Sequence, residues 1–446
     1  MAIQDTTAQN RGWGAKFFTI WGGQALSLLG SQLVQFALIW WLTKTSGSGT
    51  VLAIASLFGL VPHVVLGPFA GALVDRWNRR MVMIVADAIT ALAIVVLAVL
   101  FATEQVQIWH LYLLMFVRSV AGAFHSNAMM ASTSLMVPKQ HLARIQGLNQ
   151  MLWGGMSVFS APLGALLLEL LPLQGILAID VVTALMAIIP LFFITVPQPE
   201  RVTMVSTAEG KTGFWQDFVS GLKYVWGWPG LLLICLMAMQ INFLLNPAFA
   251  MMPLVVTKHF NGGAIQLATL ESLSGIGTIV GGLALSAWGG FKRQIHTAMV
   301  GVIGIGLGCL IMGLLPSSAF TWAVAAMFIL GFASPIANGP LLAAVQAAVA
   351  PDMQGRVFSL IGSLAAAMSP IGLLIAGPVS DRVGPQAWFI VGGIVTVLTG
   401  LAAFFVPAVM RFEDGRGEPA AIEETLTLKE LTMEAHTSTA SSLDLS

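Results

Sequence analysis

From Phe17 onward the chain alternates long apolar runs with short polar breaks. The apolar runs lie near residues 17–42, 51–74, 82–102, 109–131, 145–169, 174–196, 229–257, 267–288, 294–315, 320–349, 357–380 and 386–407. Each has roughly the 20 residues that an α-helix needs to cross a hydrocarbon core of about 30 Å. The pattern therefore predicts twelve transmembrane helices. The longest polar break inside the series, residues 197–228, holds Pro197, Pro199, Glu200, Arg201, Glu209, Lys211 and Asp217 and separates six predicted helices from six. The expected organisation is a cytoplasmic segment 1–16, a six-helix bundle 17–196, a cytoplasmic linker 197–228, a second six-helix bundle 229–407 and a cytoplasmic, disordered tail 408–446 that is acidic and rich in Ser and Thr. Within the linker, Phe214 to Trp228 interleaves aromatic and charged residues and predicts a short helix along the membrane interface.

Composition agrees. With 57% hydrophobic and only 9% charged residues, and a mean hydropathy of +0.86, the 446-residue chain has too little polar surface to face water on all sides. Its formal net charge of zero gives no reason to expect nucleic acid as a partner. Of the twenty Lys and Arg residues, sixteen fall on the side of the N-terminal segment, only Lys44, Lys258 and Arg382 on the other, and Arg118 lies within a span. Cations stay on the cytoplasmic side of a membrane, so both termini are expected there, and the first apolar stretch is long enough to remain as a signal anchor. Cys235 and Cys309 stand alone in apolar runs, without metal or redox spacing.

The two halves share a register. Pro138 and Pro351 are 213 positions apart, and the same offset carries Arg79-Arg80 onto Lys292-Arg293, while Arg144 and Arg356 differ by 212. Parallel repeats of six helices each follow. The second copy lacks an acid, because Asp75 maps onto Trp288.

A few polar residues interrupt the apolar runs. Arg118 lies about nine residues, or roughly 14 Å, from the end of its predicted helix, where a guanidinium must be paired or reach water. Asp87, Asp180 and Glu271 are the carboxylates inside spans; burial raises a carboxyl pKa and a nearby arginine lowers it, so alternating exposure could make one of them bind and release a proton. Each also has a plainer reading: Asp87 as part of a charged hinge, Asp180 as a hydrogen-bonded structural acid, Glu271 as an acid reaching water near a helix end. His63 and His125 could titrate or could simply donate between helices. Gln24, Ser27, Ser31 and Gln35 recur at helical three-and-four spacing and share one face of the first helix; Gln240, Asn242 and Asn246 lie on the seventh. Such a face avoids lipid, either lining a cavity or hydrogen-bonding another helix.

The stretch Gly67 to Arg80, GPFAGALVDRWNRR, ends an apolar run in an acid and three arginines. Gly67 and Gly71 are one turn apart and offer a smooth face for another helix. The run Gly71-x-x-x-Asp75-Arg76-x-x-Arg79-Arg80 resembles the signature between the second and third helices of the major facilitator superfamily, with Asn78 where many members carry Gly. The competing reading is a basic anchor with a chance acid. The resemblance implies that Gly67, Gly71, Asp75, Arg76, Arg79 and Arg80 gate the junction of two six-helix halves. Arg118-x-x-Ala121-Gly122 resembles the fourth-helix signature of proton-coupled exporters, with Ala where Gln usually precedes the Gly; Gly154, Gly155, Ala161, Pro162 and Gly164 resemble a weakened Gly-Pro motif of the same branch. The first-helix run GGQALSLLGSQLVQFALIWWL and the Asp180-containing sixth helix look most like the bacterial macrolide-efflux-type and siderophore-exporting branch of drug–proton antiporters.

What the resemblance implies is an all-α polytopic membrane protein of two pseudo-symmetric six-helix bundles. Its first, fourth, seventh and tenth helices would line a central cavity, with Gln24, Ser27, Ser31, Gln35, Arg118, Gln240 and Asn242 as substrate contacts. Arg118 with Asp87, Asp180 or Glu271 would couple protons to efflux of a bulky amphipathic or hydrophobic compound from a monomer in the bacterial inner membrane. Nutrient uptake and a receptor without turnover are the alternatives. Glycines 275, 277, 281 and 282, and 301, 304, 306 and 308, sit inside spans and read as close helix packing rather than phosphate loops. No HExxH, GxSxG or GxxxxGK[ST] occurs, so neither enzyme chemistry, a metal, a cofactor nor ATP is expected.

Overall fold

The computed structural model describes residues 13–198 and 214–415. Twelve long helices run through the described residues: α1 Trp13–Ser46, α2 Gly49–Val74, α3 Arg79–Ala102, α4 Ile108–Met136, α5 Leu142–Leu170, α6 Leu173–Phe193, α7 Pro229–Ala250, α8 Ala264–Trp288, α9 Gln294–Leu314, α10 Phe320–Ala348, α11 Pro351–Val383 and α12 Gln386–Phe404. Eleven are long and apolar enough to cross a membrane. The exception is α4, whose Arg118, Ser119, His125, Ser126, Asn127, Ser132, Thr133 and Ser134 dilute its apolar character. That helix, placed from its apolar run over 109–131, is the one that carries Arg118.

Local chemistry sets the helix ends. Asn78 accepts a hydrogen bond from the Met81 amide at 3.2 Å and starts α3, and Pro229 and Pro351 open α7 and α11, where a missing N–H costs nothing. Gly289 ends α8 with φ +78°, a left-handed conformation that glycine adopts without a Cβ clash. Two expected boundaries move. Helix α1 begins at Trp13 rather than 17, because Trp13 stacks on His141 at 5.2 Å. The tail expected from 408 starts with packed turns, Pro407–Met410 and Phe412–Asp414: Phe412 is buried against Trp228 at 4.8 Å, and Glu413 accepts from the Ile295 amide at 2.6 Å. The linker helix is Phe214–Trp226, and it packs on α11 and α7. Pro199, Glu200, Arg201, Glu209 and Lys211 lie outside the described residues, as do 1–12 and 416–446.

Helices α1 to α6 pack mainly on one another, and α7 to α12 likewise; the principal contacts across run between α2 and α11 and between α5 and α8. At the end of the molecule where α2 begins, one buried cluster draws on both sets, joining Leu52, Ala53 and Ala55 to Met251, Leu254 and Leu373. At the opposite end the cluster of Ile20, Val74, Met83, Ala128 and Leu191 belongs to the first set alone.

The second set is held by backbone-to-backbone contact. A methyl group on Gly281 would overlap the Phe332 carbonyl oxygen, one on Gly301 the Ala337 amide nitrogen, and one on Gly331 the Ser274 carbonyl oxygen. The glycine runs are thus helix-packing surfaces, as expected. Gly281 and its neighbour Gly282 test this directly, since a methyl on Gly282 would meet nothing within 4 Å. Gly281→Ala is expected to destabilise the purified protein by about 1–3 kcal/mol through overpacking. Gly282→Ala should stay within about 1 kcal/mol, on the favourable side because alanine is the better helix former. Thermal unfolding in detergent distinguishes the two.

Candidate functional site

A cavity of about 600 Å³ opens within the first six helices. Its depth is set by Ser31 of α1, Ile94 of α3, Arg118 of α4 and Asp180 of α6; further along come Gln24, Asp87, Ala121 and His125; Trp21, Met130, Asn149, Gln150 and Trp153 stand nearer the end where α1 starts and α4 finishes. Arg118, Ala121, Gly122, His125, Ser126, Met129 and Thr133 all line it because three-and-four spacing puts them on one face of α4. The volume suits a drug-sized molecule, and the wall mixes indoles, thioethers and aliphatic carbons with a few amides and two acids.

Two acid–base clusters face this space. At the deep one, Arg118 Nη2 donates to the Ser31 carbonyl at 3.0 Å, Ser31 Oγ donates to Asp180 Oδ1 at 3.1 Å, and Arg118 Nη1 lies 3.9 Å from Asp180 Oδ2. Asp180 is 1% exposed, so its charge must be met from inside the protein. Close contact between α1 and α6 fixes the carboxylate: a methyl at Gly30 would lie 3.0 Å from Asp180 Oδ1 and 3.3 Å from its Cα. In the shallower cluster Gln24 Nε2 donates to Asp87 Oδ2 at 3.0 Å and His125 Nε2 is 3.4 Å from Asp87 Oδ1. A proton arriving on His125 strengthens that contact; a proton on Asp87 weakens it. Trp21 Nε1 donates to Asn149 Oδ1 at 2.8 Å and ties α1 to α5 beside the cavity.

The predicted residues divide. Gln24, Ser27, Ser31, Asp87, Arg118 and Asp180 line the one cavity. Gln35 is turned from them and lines a second, small cavity of about 80 Å³ with Ser56, Met115, Phe249, Pro253 and Glu271, which is bounded by both sets of helices. No ion pair reaches Glu271 among the described residues. The expected lining by the seventh and tenth helices is not found: every residue lining the larger cavity lies between Trp21 and Ala184. Gln240 instead accepts from Thr399 Oγ1 at 2.6 Å, Asn242 donates to the Ala238 carbonyl at 2.9 Å, and Asn246 donates to Ser369 Oγ at 2.6 Å. Asn246 also donates to Asn242 Oδ1 at 2.9 Å, so these side chains bond within the second set. The His63 amide N–H donates to Ser119 Oγ at 3.0 Å, while the residue itself lines neither cavity.

The charged run after α2 works within the first set here. Arg79, 7% exposed, donates to the Ala131 carbonyl at 2.8 Å and to Asp75 Oδ1 at 3.1 Å; Arg80 donates to the Leu191 and Phe192 carbonyls, which α6 leaves unpaired at its C-terminus. Asp75 and Arg76 are exposed. A methyl on Gly67 would meet nothing within 4 Å, and one on Gly71 only Asn127, so the smooth face is vacant rather than packed. Sequence reasoning placed no weight on Trp21, Asn149, Gln146 or Gln150. The three-and-four spacing of Gln146, Asn149, Gln150 and Trp153 on α5 was the available signal.

Residues 20–373 match the model of the Major Facilitator Superfamily. Macrolide efflux protein A of Streptococcus pyogenes is 33% identical over 402 residues, covering 90% of this chain and 98% of that protein. Multidrug efflux pump Tap of Mycolicibacterium fortuitum is 26% identical over 402 residues, covering 86% and 94%. Among solved structures, a POT family transporter in complex with 5-aminolevulinic acid superposes with a TM-score of 0.66 at 13% identity, covering 90% of this chain and 96% of that one. The nucleoside transporter NupG does so with a TM-score of 0.58 at 14% identity, covering 85% and 97%. The chain belongs to the Major Facilitator Superfamily and is a multi-pass membrane transporter of the secondary type, related to efflux proteins and not to enzymes.

The deep cluster makes a stability prediction. Asp180→Ala leaves the Arg118 guanidinium buried without its anion and is expected to cost about 3–5 kcal/mol. Replacing both members together, Arg118→Met with Asp180→Leu, should recover most of that loss. Thermal unfolding of the three proteins in one detergent measures the difference.

Proposed function

We propose that this member of the Major Facilitator Superfamily exports a bulky amphipathic or hydrophobic small molecule in exchange for protons. The observation that carries the reading is the 600 Å³ cavity in which two carboxylates, Asp87 and Asp180, each stand beside a base, His125 and Arg118, within a largely apolar wall. A carboxylate whose partner changes distance as the cavity opens and closes is a group that can take up a proton on one side and release it on the other. A wall of indoles, methionines and aliphatic side chains suits a large apolar surface better than a sugar, which needs many hydrogen bonds. The relationship to macrolide and multidrug efflux proteins supports the direction and the substrate class.

In this reading the chain is a twelve-helix protein of two six-helix bundles, a monomer whose cavity is completed by its own residues. It lies in the bacterial inner membrane with both termini in the cytoplasm, as the distribution of Lys and Arg indicates. The halves rock about α2–α11 and α5–α8 to alternate access. In this reading the end bearing Asp75 is the cytoplasmic one, and the cavity opens toward it. Gly67, Gly71, Asp75, Arg76, Arg79 and Arg80 gate that end, and the vacant glycine face of α2 is the surface on which the other half closes. Arg118 with Asp180, and His125 with Asp87, carry the coupling. Gln24, Ser27 and Ser31 contact substrate, and Gln35 and Glu271 meet it when it passes between the halves.

Whole-cell accumulation of a labelled macrolide, with and without a protonophore, tests the reading. Cells making the protein should accumulate less compound than controls, and collapse of the gradient should erase the difference; accumulation that falls on collapse would assign uptake instead. Arg118→Ala and Asp180→Asn should each weaken export about tenfold or more, corresponding to about 1.4 kcal/mol or more, while Gln240→Ala stays within about twofold.

A further inference from the structure

Asp381 lies two residues before the end of α11 and is outside both cavities. Its carboxylate reaches the other half of the molecule. Oδ2 accepts from Ser48 Oγ at 2.8 Å, from Thr50 Oγ1 at 2.6 Å and from the Thr50 amide at 3.0 Å; Oδ1 accepts from the Gly49 amide at 2.6 Å. Those amides open α2, where no carbonyl of the same helix is available to them. Ser48 begins the cap locally, accepting from the Val51 amide at 3.4 Å. Asp381 completes it from more than three hundred residues away, placing a negative charge at the positive end of the helix.

The packing around this contact is as close as backbones allow. A methyl on Gly49 would come within 2.8 Å of Ser380 Cβ, and one on Gly377 within 2.8 Å of Ala53 Cβ and 2.9 Å of Thr50 Cα. Toward the other ends of the same two helices the picture reverses. Methyls on Gly67 of α2 and on Gly355 and Gly362 of α11 would meet nothing within 4 Å. The two helices thus touch at the Asp381 end, whereas these three glycine positions toward the Asp75 end have no close neighbour.

We propose that Asp381 is a latch: a positioning residue that holds the two halves together at the end opposite Asp75 and that must release α2 in every transport cycle. The latch residue itself is exposed, so water can take over its hydrogen bonds as the ends part, and the contact is strong enough to close the path without sealing it permanently. Asp75 and Asp381 are then the acids of opposite ends: Asp381 reaches across to the other half, while Asp75 is held by Arg79 within its own half. The inference rests on the two halves moving against each other, but on neither the substrate nor the coupled ion.

The test is a distance measurement between spin labels on Gln105→Cys and Ser317→Cys, exposed positions in loops at the Asp381 end of the first and second sets, with Cys235 and Cys309 buried and out of reach of the label. The parent protein should give mainly one short distance. Asp381→Ala should raise a longer-distance population several-fold, and Ser48→Ala with Thr50→Val, which removes two donors from the opposite side of the contact, should do the same to a smaller extent. A distribution unchanged in both variants overturns the proposal. If Asp381→Ala proves too unstable to label, the Ser48→Ala with Thr50→Val protein decides by itself. A protein whose distances respond in this way but whose macrolide accumulation ignores a protonophore would retain the latch and refute proton-coupled export.

Discussion

A guanidinium inside a membrane protein cannot be left alone, and the arrangement of the first six helices follows from that need. Arg118 is met by the Ser31 carbonyl and by the Asp180 carboxylate, and Ser31 in turn donates to Asp180, so α1, α4 and α6 are joined at one point. Removing charges from water is expensive unless each is paired, and at this junction the guanidinium and the carboxylate face each other with Ser31 bridging them. The same requirement keeps the space beside them from collapsing. Polar side chains that must keep their partners cannot also interdigitate as aliphatic ones do, and a cavity remains with Asp87, His125 and Gln24 on its wall.

The second six helices answer to a different constraint. Two amides of α7 find partners one helix away, Gln240 in Thr399 and Asn246 in Ser369. Small residues bring backbones into contact at Gly281, Gly301 and Gly331. The larger cavity thus lies in the first half, while close glycine contacts mark the second. The two halves meet chiefly along α2–α11 and α5–α8.

Much of the site was legible because helical periodicity carries it. Gln24, Ser27 and Ser31 recur at three-and-four spacing and do share a face, and Arg118 demanded a partner from its position alone. Gln35 obeys the same spacing but ends in the smaller cavity: four residues on from Ser31, it has passed the level of Asp180 and reached the junction with α7 and α8. The seventh-helix amides misled, since a polar face turned from lipid meets a cavity or another helix with equal economy, and only packing chooses between them. His125 beside Asp87 was not legible either, because nothing in local spacing relates α4 to α3.

The chain's own order of residues determined the apolar spans, the polar break between the sixth and seventh of them and the few charges inside spans that need partners, since these depend on composition and on periods of a few residues. Tertiary structure alone decided that the larger cavity belongs to the first half, that the amides of α7 pair within the second, that the glycine face of α2 stands vacant while Gly49 is packed, and that Asp381 caps a helix it does not belong to. The reason is physical. Burial, pairing and closure are properties of two surfaces that meet, and a sequence states the chemistry of each surface without stating which of them will touch.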